Sequence, residues 1–99
     1  MLNINKVIDI EKACFAPEGR LDTITAPEFE KELKDSLEDI TELVLDFEKL
    51  EYISSAGLRV ILSAQKVMNR KGTMKIIHVN EVIMEIFDVT GFSDILTIE

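Results

Sequence analysis

The run Leu43-Val44-Leu45-Asp46-Phe47 is almost continuous in apolar strand formers. A strand of that composition has no water-facing side, so it belongs in the middle of a sheet covered on both faces. Helices must supply that cover, and the flanking sequence provides them. Thr25-Ala26-Pro27-Glu28 carries the signals of a helix start: a hydroxyl and a carboxylate able to cap reciprocally, with Pro27 in the first turn. Phe29, Leu33 and Leu37 then recur every fourth residue among charged neighbours, the pattern of a helix with one packed stripe. A second helix opens at Ser54-Ser55-Ala56-Gly57-Leu58 and ends at Gly72. Leu58, Ile61, Leu62 and Met68 turn inward, and Arg59, Ser63, Lys66 and Arg70 form a solvated face. Asn80 caps a third helix whose inner stripe is Ile83, Ile86, Phe87 and Thr90, stopped by Gly91.

The remaining strands are expected around Leu2 to Ile10, Ala13 to Ala16, Met74 to Val79 and Ile95 to Ile98. Pro17 marks the end of the second of these, or an edge position, and Gly19-Arg20-Leu21-Asp22 is expected as a loop. The order is β-β-α-β-α-β-α-β, an α/β chain with a mixed sheet, helices packed on it and right-handed crossovers. With 99 residues there is material for one core, so residues 1–99 are taken as a single domain.

Charge and composition exclude several functions. Nineteen acidic against eleven basic side chains give a net charge of −8, which repels phosphate backbones and anionic headgroups, so no nucleic-acid partner is expected. No run approaches the roughly 20 apolar residues of a membrane span, and no basic segment precedes an apolar one at the start, which reads as cytoplasmic. Cys14, the only cysteine, lies in the apolar run Ala13-Cys14-Phe15-Ala16 and is read as a buried structural thiol; no disulfide or thiolate metal cluster can form. Met68, Met74 and Met84 are read as core filling. Neither a hydrolase elbow around Ser54-Ser55 nor a glycine-rich nucleotide loop is present, and the single histidine, His78, is read as a solvent-facing or hydrogen-bonded strand residue. Asp46 invites comparison with the phosphoaspartate of receiver domains, but the acidic pair that would bind magnesium is missing. No enzyme activity, cofactor or metal is expected.

The segment from Asp46 through Glu48-Lys49-Leu50-Glu51-Tyr52-Ile53 to Ser54-Ser55-Ala56-Gly57-Leu58 resembles the signature of STAS domains: an apolar strand, a polar loop, an aromatic and an apolar residue, then a Ser-Ala-Gly-Leu helix start. Gly19-Arg20-Leu21-Asp22 is similar to the family's Gly-x-Leu-Asp loop, and the order of elements fits from end to end. The resemblance is to the anti-sigma factor antagonist type. It implies a STAS-type mixed sheet and a non-enzymatic switch: the unphosphorylated protein binds an anti-sigma factor serine kinase and frees a sigma factor, phosphorylation of Ser55 blocks the complex, and a serine phosphatase reverses it. It implies a partner-binding surface of Asp22, Ser54, Ser55, Ala56, Gly57 and Leu58. Ser54 stands where that pattern usually has Asp, which makes Ser54 the alternative acceptor. The other reading is a STAS module that binds a nucleotide, or scaffolds a sensor or transporter complex, without sigma factor control.

Physical chemistry supports a switch at this position. Amides at a helix start carry unpaired donors and a partial positive charge that favour an anion. A phosphate adds about −1.5 to −2 charges to a surface already bearing Asp22, Glu48 and Glu51, and so repels a docked partner without unfolding the domain. The plain alternative is a serine that only caps the helix, a role typically contributing about 1 kcal/mol. For Asp22 it is a local turn residue, and for Gly57 a position kept bare either for the partner or for the contact between helix and strand.

Overall fold

The computed structural model describes residues 2–99. The order along the chain is β1 (Asn3–Asp9), β2 (Lys12–Leu21), α1 (Ala26–Leu37), β3 (Glu42–Asp46), β4 (Leu50–Ile53), α2 (Ser55–Lys71), β5 (Thr73–Ile77) and α3 (Glu81–Thr90), closed by a short 3-10 turn at Phe92–Asp94. β1 pairs antiparallel with β2, and β2, β3 and β5 run parallel in the order β1-β2-β3-β5. The expected mixed sheet is present, with β3 between β2 and β5 and Leu43, Val44 and Leu45 all buried.

The longest strand departs from expectation, and the departure builds the site. Lys12 to Phe15 of β2 pair with β3, while Gly19 to Leu21 pair with β4, a strand not foreseen from the sequence. Pro17 falls in the stretch between these two partners, where a residue with no N–H to donate is tolerated. Gly19 has φ of 108°, a left-handed conformation suited to glycine, and the register with β4 shifts between it and Arg20. Both residues read in sequence as strand breakers, yet they mark where one strand changes partner, so the expected Gly19 to Asp22 loop is strand as far as Leu21.

Helix α1 buries Ala26, Phe29, Leu33 and Leu37, and Phe29 meets Phe15 of β2 edge to face with ring centroids 6.3 Å apart. The expected reciprocal cap between Thr25 and Glu28 does not form: Thr25 has helical backbone angles and its side chain caps no amide of α1. Helix α2 packs on α1 and buries Leu58, Val60, Ile61, Ala64 and Met68, with Leu62 half-buried. Met74 is buried as well, and Met84 packs against the core. Asn80 caps α3 by accepting from the Ile83 amide, and its side-chain amide donates to the Leu50 carbonyl, tying α3 to β4. Ile83 and Phe87 are buried and Ile86 partly so, but Thr90 is exposed, its hydroxyl turned back onto the Ile86 carbonyl. Gly91 takes the left-handed stop at φ 81°.

The expected strand over Ile95 to Ile98 shrinks to a single parallel bridge between Ile98 and Ile76, because the chain spends Phe92 to Asp94 in the 3-10 turn and turns Leu96 into the core. Cys14 is half-buried, not fully buried: Ala13 and Phe15 take the core side of β2 and Cys14 the other. Burial and the Asp46 charge push its thiol pKa up, Lys12 opposing, which favours the protonated thiol.

Gly72 illustrates how tightly α2 is joined to the sheet. Its φ of 176° is extended, so the constraint is steric: a Cβ there would lie 1.8 Å from the Thr41 carbonyl oxygen, and Thr73 donates to that same oxygen at 2.9 Å. The obstructing atoms are all Thr41 backbone, so no flexible group is there to yield. Gly72→Ala is expected to destabilise the fold by about 3 kcal/mol or more, read as a drop in the urea midpoint at unchanged slope.

Candidate functional site

β2 and β4 end side by side, Leu21 opposite Ile53, and everything at the site follows from what the chain does next. After Leu21 it enters a tight turn organised by Asp22. The Asp22 Oδ1 accepts from the Ile24 amide at 3.0 Å and the Thr25 amide at 3.1 Å. The Thr25 hydroxyl accepts from the Asp22 amide at 2.9 Å and donates to the Arg20 carbonyl at 2.8 Å. Asp22 thus takes the Thr25 amide that Glu28 had been expected to reach, and the Ile24 amide with it.

After Ile53 the chain enters α2. Ser54 has extended angles (φ −98°, ψ 177°), accepts from the Gly57 amide over a long 3.5 Å, and donates its own amide to the Leu21 carbonyl at 2.9 Å. It is the N-cap. Ser55 is the first residue of the helix; it is exposed, and among the described residues its hydroxyl has no hydrogen bond. The two serines, interchangeable in sequence as cap or acceptor, therefore have different surroundings. No acidic residue lies in the first turn of α2, so the positive end of the helix is uncompensated there.

Gly57 is buried against the strand ends. A Cβ on it would lie 2.8 Å from both Ile53 Cγ1 and Leu21 Cγ and 3.0 Å from the Leu21 carbonyl oxygen. The structure thus shows the helix-to-strand contact as a reason for glycine. Leu58 is buried too, while Asp22, Ser54 and Ala56 are half-buried. Of the six positions singled out, four reach the surface and two seat the helix beneath it.

Thr23, Ala26 and Pro27 face Ala56, Arg59 and Ser63 across a shallow hollow, so the Asp22 turn and the α2 start border one continuous surface. The sequence reading missed Ile24, which is 87% exposed at the tip of the turn. Its signal was an isoleucine inside the otherwise polar Asp22-Thr23-Ile24-Thr25. Arg20 stacks over the Tyr52 ring at 4.5 Å, across the β2–β4 pair. Glu48, grouped in sequence with this surface, lies beside His78 at 3.6 Å, and His78 is exposed and bonded to Asp46.

The Asp22 carboxyl is held below its ordinary value, chiefly by the Thr25 amide; burial, the next largest influence, opposes this, and the Ile24 amide, the Thr25 hydroxyl and Arg20 add to the lowering. A depressed carboxylate stabilises the fold in full above its unfolded value and loses that contribution as pH falls through the folded one. Asp22→Ala should therefore lower the urea midpoint at neutral pH, and the gap between wild type and variant should close below about pH 4.

Comparison with known proteins places this geometry. Residues 3–99 match the family model of the STAS domain. The chain is 30% identical over 99 residues to the BtrV protein of Bordetella bronchiseptica, named as a candidate anti-sigma factor antagonist; the match covers 98% of this chain and 84% of that one. The fold superposes with a TM-score of 0.90 on an anti-sigma factor antagonist from Mycobacterium paratuberculosis, at 15% identity over 99% of this chain and 85% of the other. It also superposes, with a TM-score of 0.76 at 14% identity over 100% of this chain and 91% of the other, on the Bacillus cell fate determinant SpoIIAA in its phosphorylated form. Among the described residues no helix is long and apolar enough to cross a membrane.

Proposed function

The chain belongs to the STAS domain family, and on that premise we propose that it is an anti-sigma factor antagonist that works by partner switching. The unphosphorylated protein binds an anti-sigma factor serine kinase and frees the sigma factor. Phosphorylation of Ser55 ends that complex, and a serine phosphatase restores it. The protein contributes a docking surface and a hydroxyl; ATP and the chemistry of transfer belong to the kinase.

The observation that carries this reading is the division of labour at the start of α2. Ser54 is engaged as the cap, whereas Ser55 is exposed, free of hydrogen bonds among the described residues and set in a first turn with no acid. Phosphate can be added there without breaking any bond that the fold uses. The names of the relatives support the partner class, and SpoIIAA, a structural neighbour, has a phosphorylated form. The docking surface consists of Ser54, Ser55 and Ala56 with the Asp22 turn and Ile24, supported from below by Gly57 and Leu58. Ile24 supplies an exposed apolar contact on the turn that borders the start of α2.

Titration against the kinase of its own host tests the proposal. Ser55→Asp is expected to weaken the complex by roughly tenfold or more, as a single like charge in an interface does. Ser55→Ala should bind like wild type and fail to release on addition of ATP. Both variants should melt near the wild-type temperature. Wild-type affinity in the Ser55→Asp variant would refute the switch.

A further inference from the structure

Two carboxylates from one segment and a histidine some thirty residues further along the chain meet at the carboxyl ends of the neighbouring parallel strands β3 and β5. Asp46 is the last residue of β3, Glu48 follows it by two, and His78 comes directly after β5. His78 Nδ1 lies 2.9 Å from Asp46 Oδ1 and 3.6 Å from Glu48 Oε2, and one ligand-type atom from each residue falls within 4.8 Å of the others. We infer that Asp46, Glu48 and His78 form a binding site for a late first-row divalent transition-metal ion, Zn2+ foremost, independent of the serine switch.

The fit rests on distances and donor chemistry. Zinc bonds to imidazole nitrogen and carboxylate oxygen at about 2.0 to 2.2 Å, which places adjacent ligand atoms about 3.0 to 3.5 Å apart. Two of the contacts already bracket that separation. Glu48 is exposed and can close the third. One imidazole with two carboxylates suits zinc and its neighbours, whereas magnesium and calcium favour all-oxygen sets. Water would complete the coordination at so open a site. Binding displaces the proton shared between His78 Nδ1 and the Asp46 carboxylate, as metal sites commonly require.

The backbone holds the three residues in place. The Phe47 amide donates to the Ile77 carbonyl at 3.0 Å, joining the chain between Asp46 and Glu48 to the residue before His78. The Glu48 amide donates to Asp46 Oδ1 at 3.0 Å. His78 itself has φ of 58°, a left-handed turn out of β5. Ligands of open α/β sheets gather at the carboxyl ends of strands, which is where this cluster lies. The net charge of −8 favours a cation; the nearby Lys49, whose charge is felt at Asp46, also pairs with Glu18 at 4.0 Å.

Calorimetric titration of the purified protein with Zn2+, and with Mg2+ as the contrast, provides the test. One Zn2+ per chain is expected, with a rise in Tm on saturation, and no binding of Mg2+ over the same range. His78→Asn removes the imidazole and keeps a side chain that tolerates a left-handed backbone; it should lose Zn2+ binding while unfolding like the metal-free wild type. Glu48→Gln should weaken binding. Should His78→Asn fold poorly, Co2+ added to the wild type decides, because paramagnetic shifts must centre on the His78 ring. Failure of the wild type to take up Zn2+, undiminished binding by His78→Asn, or Co2+ shifts centred elsewhere would each overturn the inference.

Discussion

Leu21 is the point at which three pieces of backbone converge. Its carbonyl accepts from the Ser54 amide at 2.9 Å, its residue pairs with Ile53, and its side chain stands against the bare α-carbon of Gly57. The start of α2 is thereby set against the end of β2, with the helix contributing no side chain at Gly57 and the Leu21 and Ile53 side chains filling the contact. Asp22 is the next residue along, so the turn it organises is joined to the same point covalently. The two halves of the candidate surface therefore share one anchor. The proposed partner would meet a shape already set by the fold, which limits the ordering entropy lost on binding.

The same anchor explains how a modification at Ser55 can act locally. The hydrogen bonds and contacts that seat α2 are made by Ser54, Gly57 and Leu58, and none involves the Ser55 hydroxyl. Under the proposed function, charge added to that hydroxyl would meet free helix amides on its own side and a partner on the other. The fold would favour the anion and the complex would not, and that difference is what a switch requires.

Periodicity made the helices and the central strand legible. The stripes of Phe29, Leu33 and Leu37 and of Ile83 and Phe87, the run from Leu43 to Leu45, and the Asn80 cap all lie where their spacing and chemistry put them. Local signals misled where a residue type serves two purposes. Pro17 and Gly19 look like the ends of a strand, but they accommodate its change of partner. Thr25 and Glu28 look like a reciprocal cap, but Asp22 reaches the free amides first. The tail from Ile95 to Ile98 has strand formers but makes only one bridge, since the preceding 3-10 turn uses up its length. Family resemblance picked out Ser55, yet only the extended angles at Ser54 show which of two adjacent serines caps and which is free. The meeting of Asp46 and Glu48 with His78 depends on β3 lying beside β5, a pairing that no local pattern encodes.

The central claim is that phosphate on Ser55 alters the surface and leaves the fold intact. Incorporating phosphoserine at position 55 by genetic code expansion and comparing amide NMR spectra with those of the unmodified protein tests it most directly. Shifts confined to Ser54 through Arg59 and to Arg20 through Thr25, with the melting transition unmoved, are the predicted result. Shifts spreading through Leu43, Leu45 and Phe47 in the core, or a loss of cooperative unfolding, would contradict it.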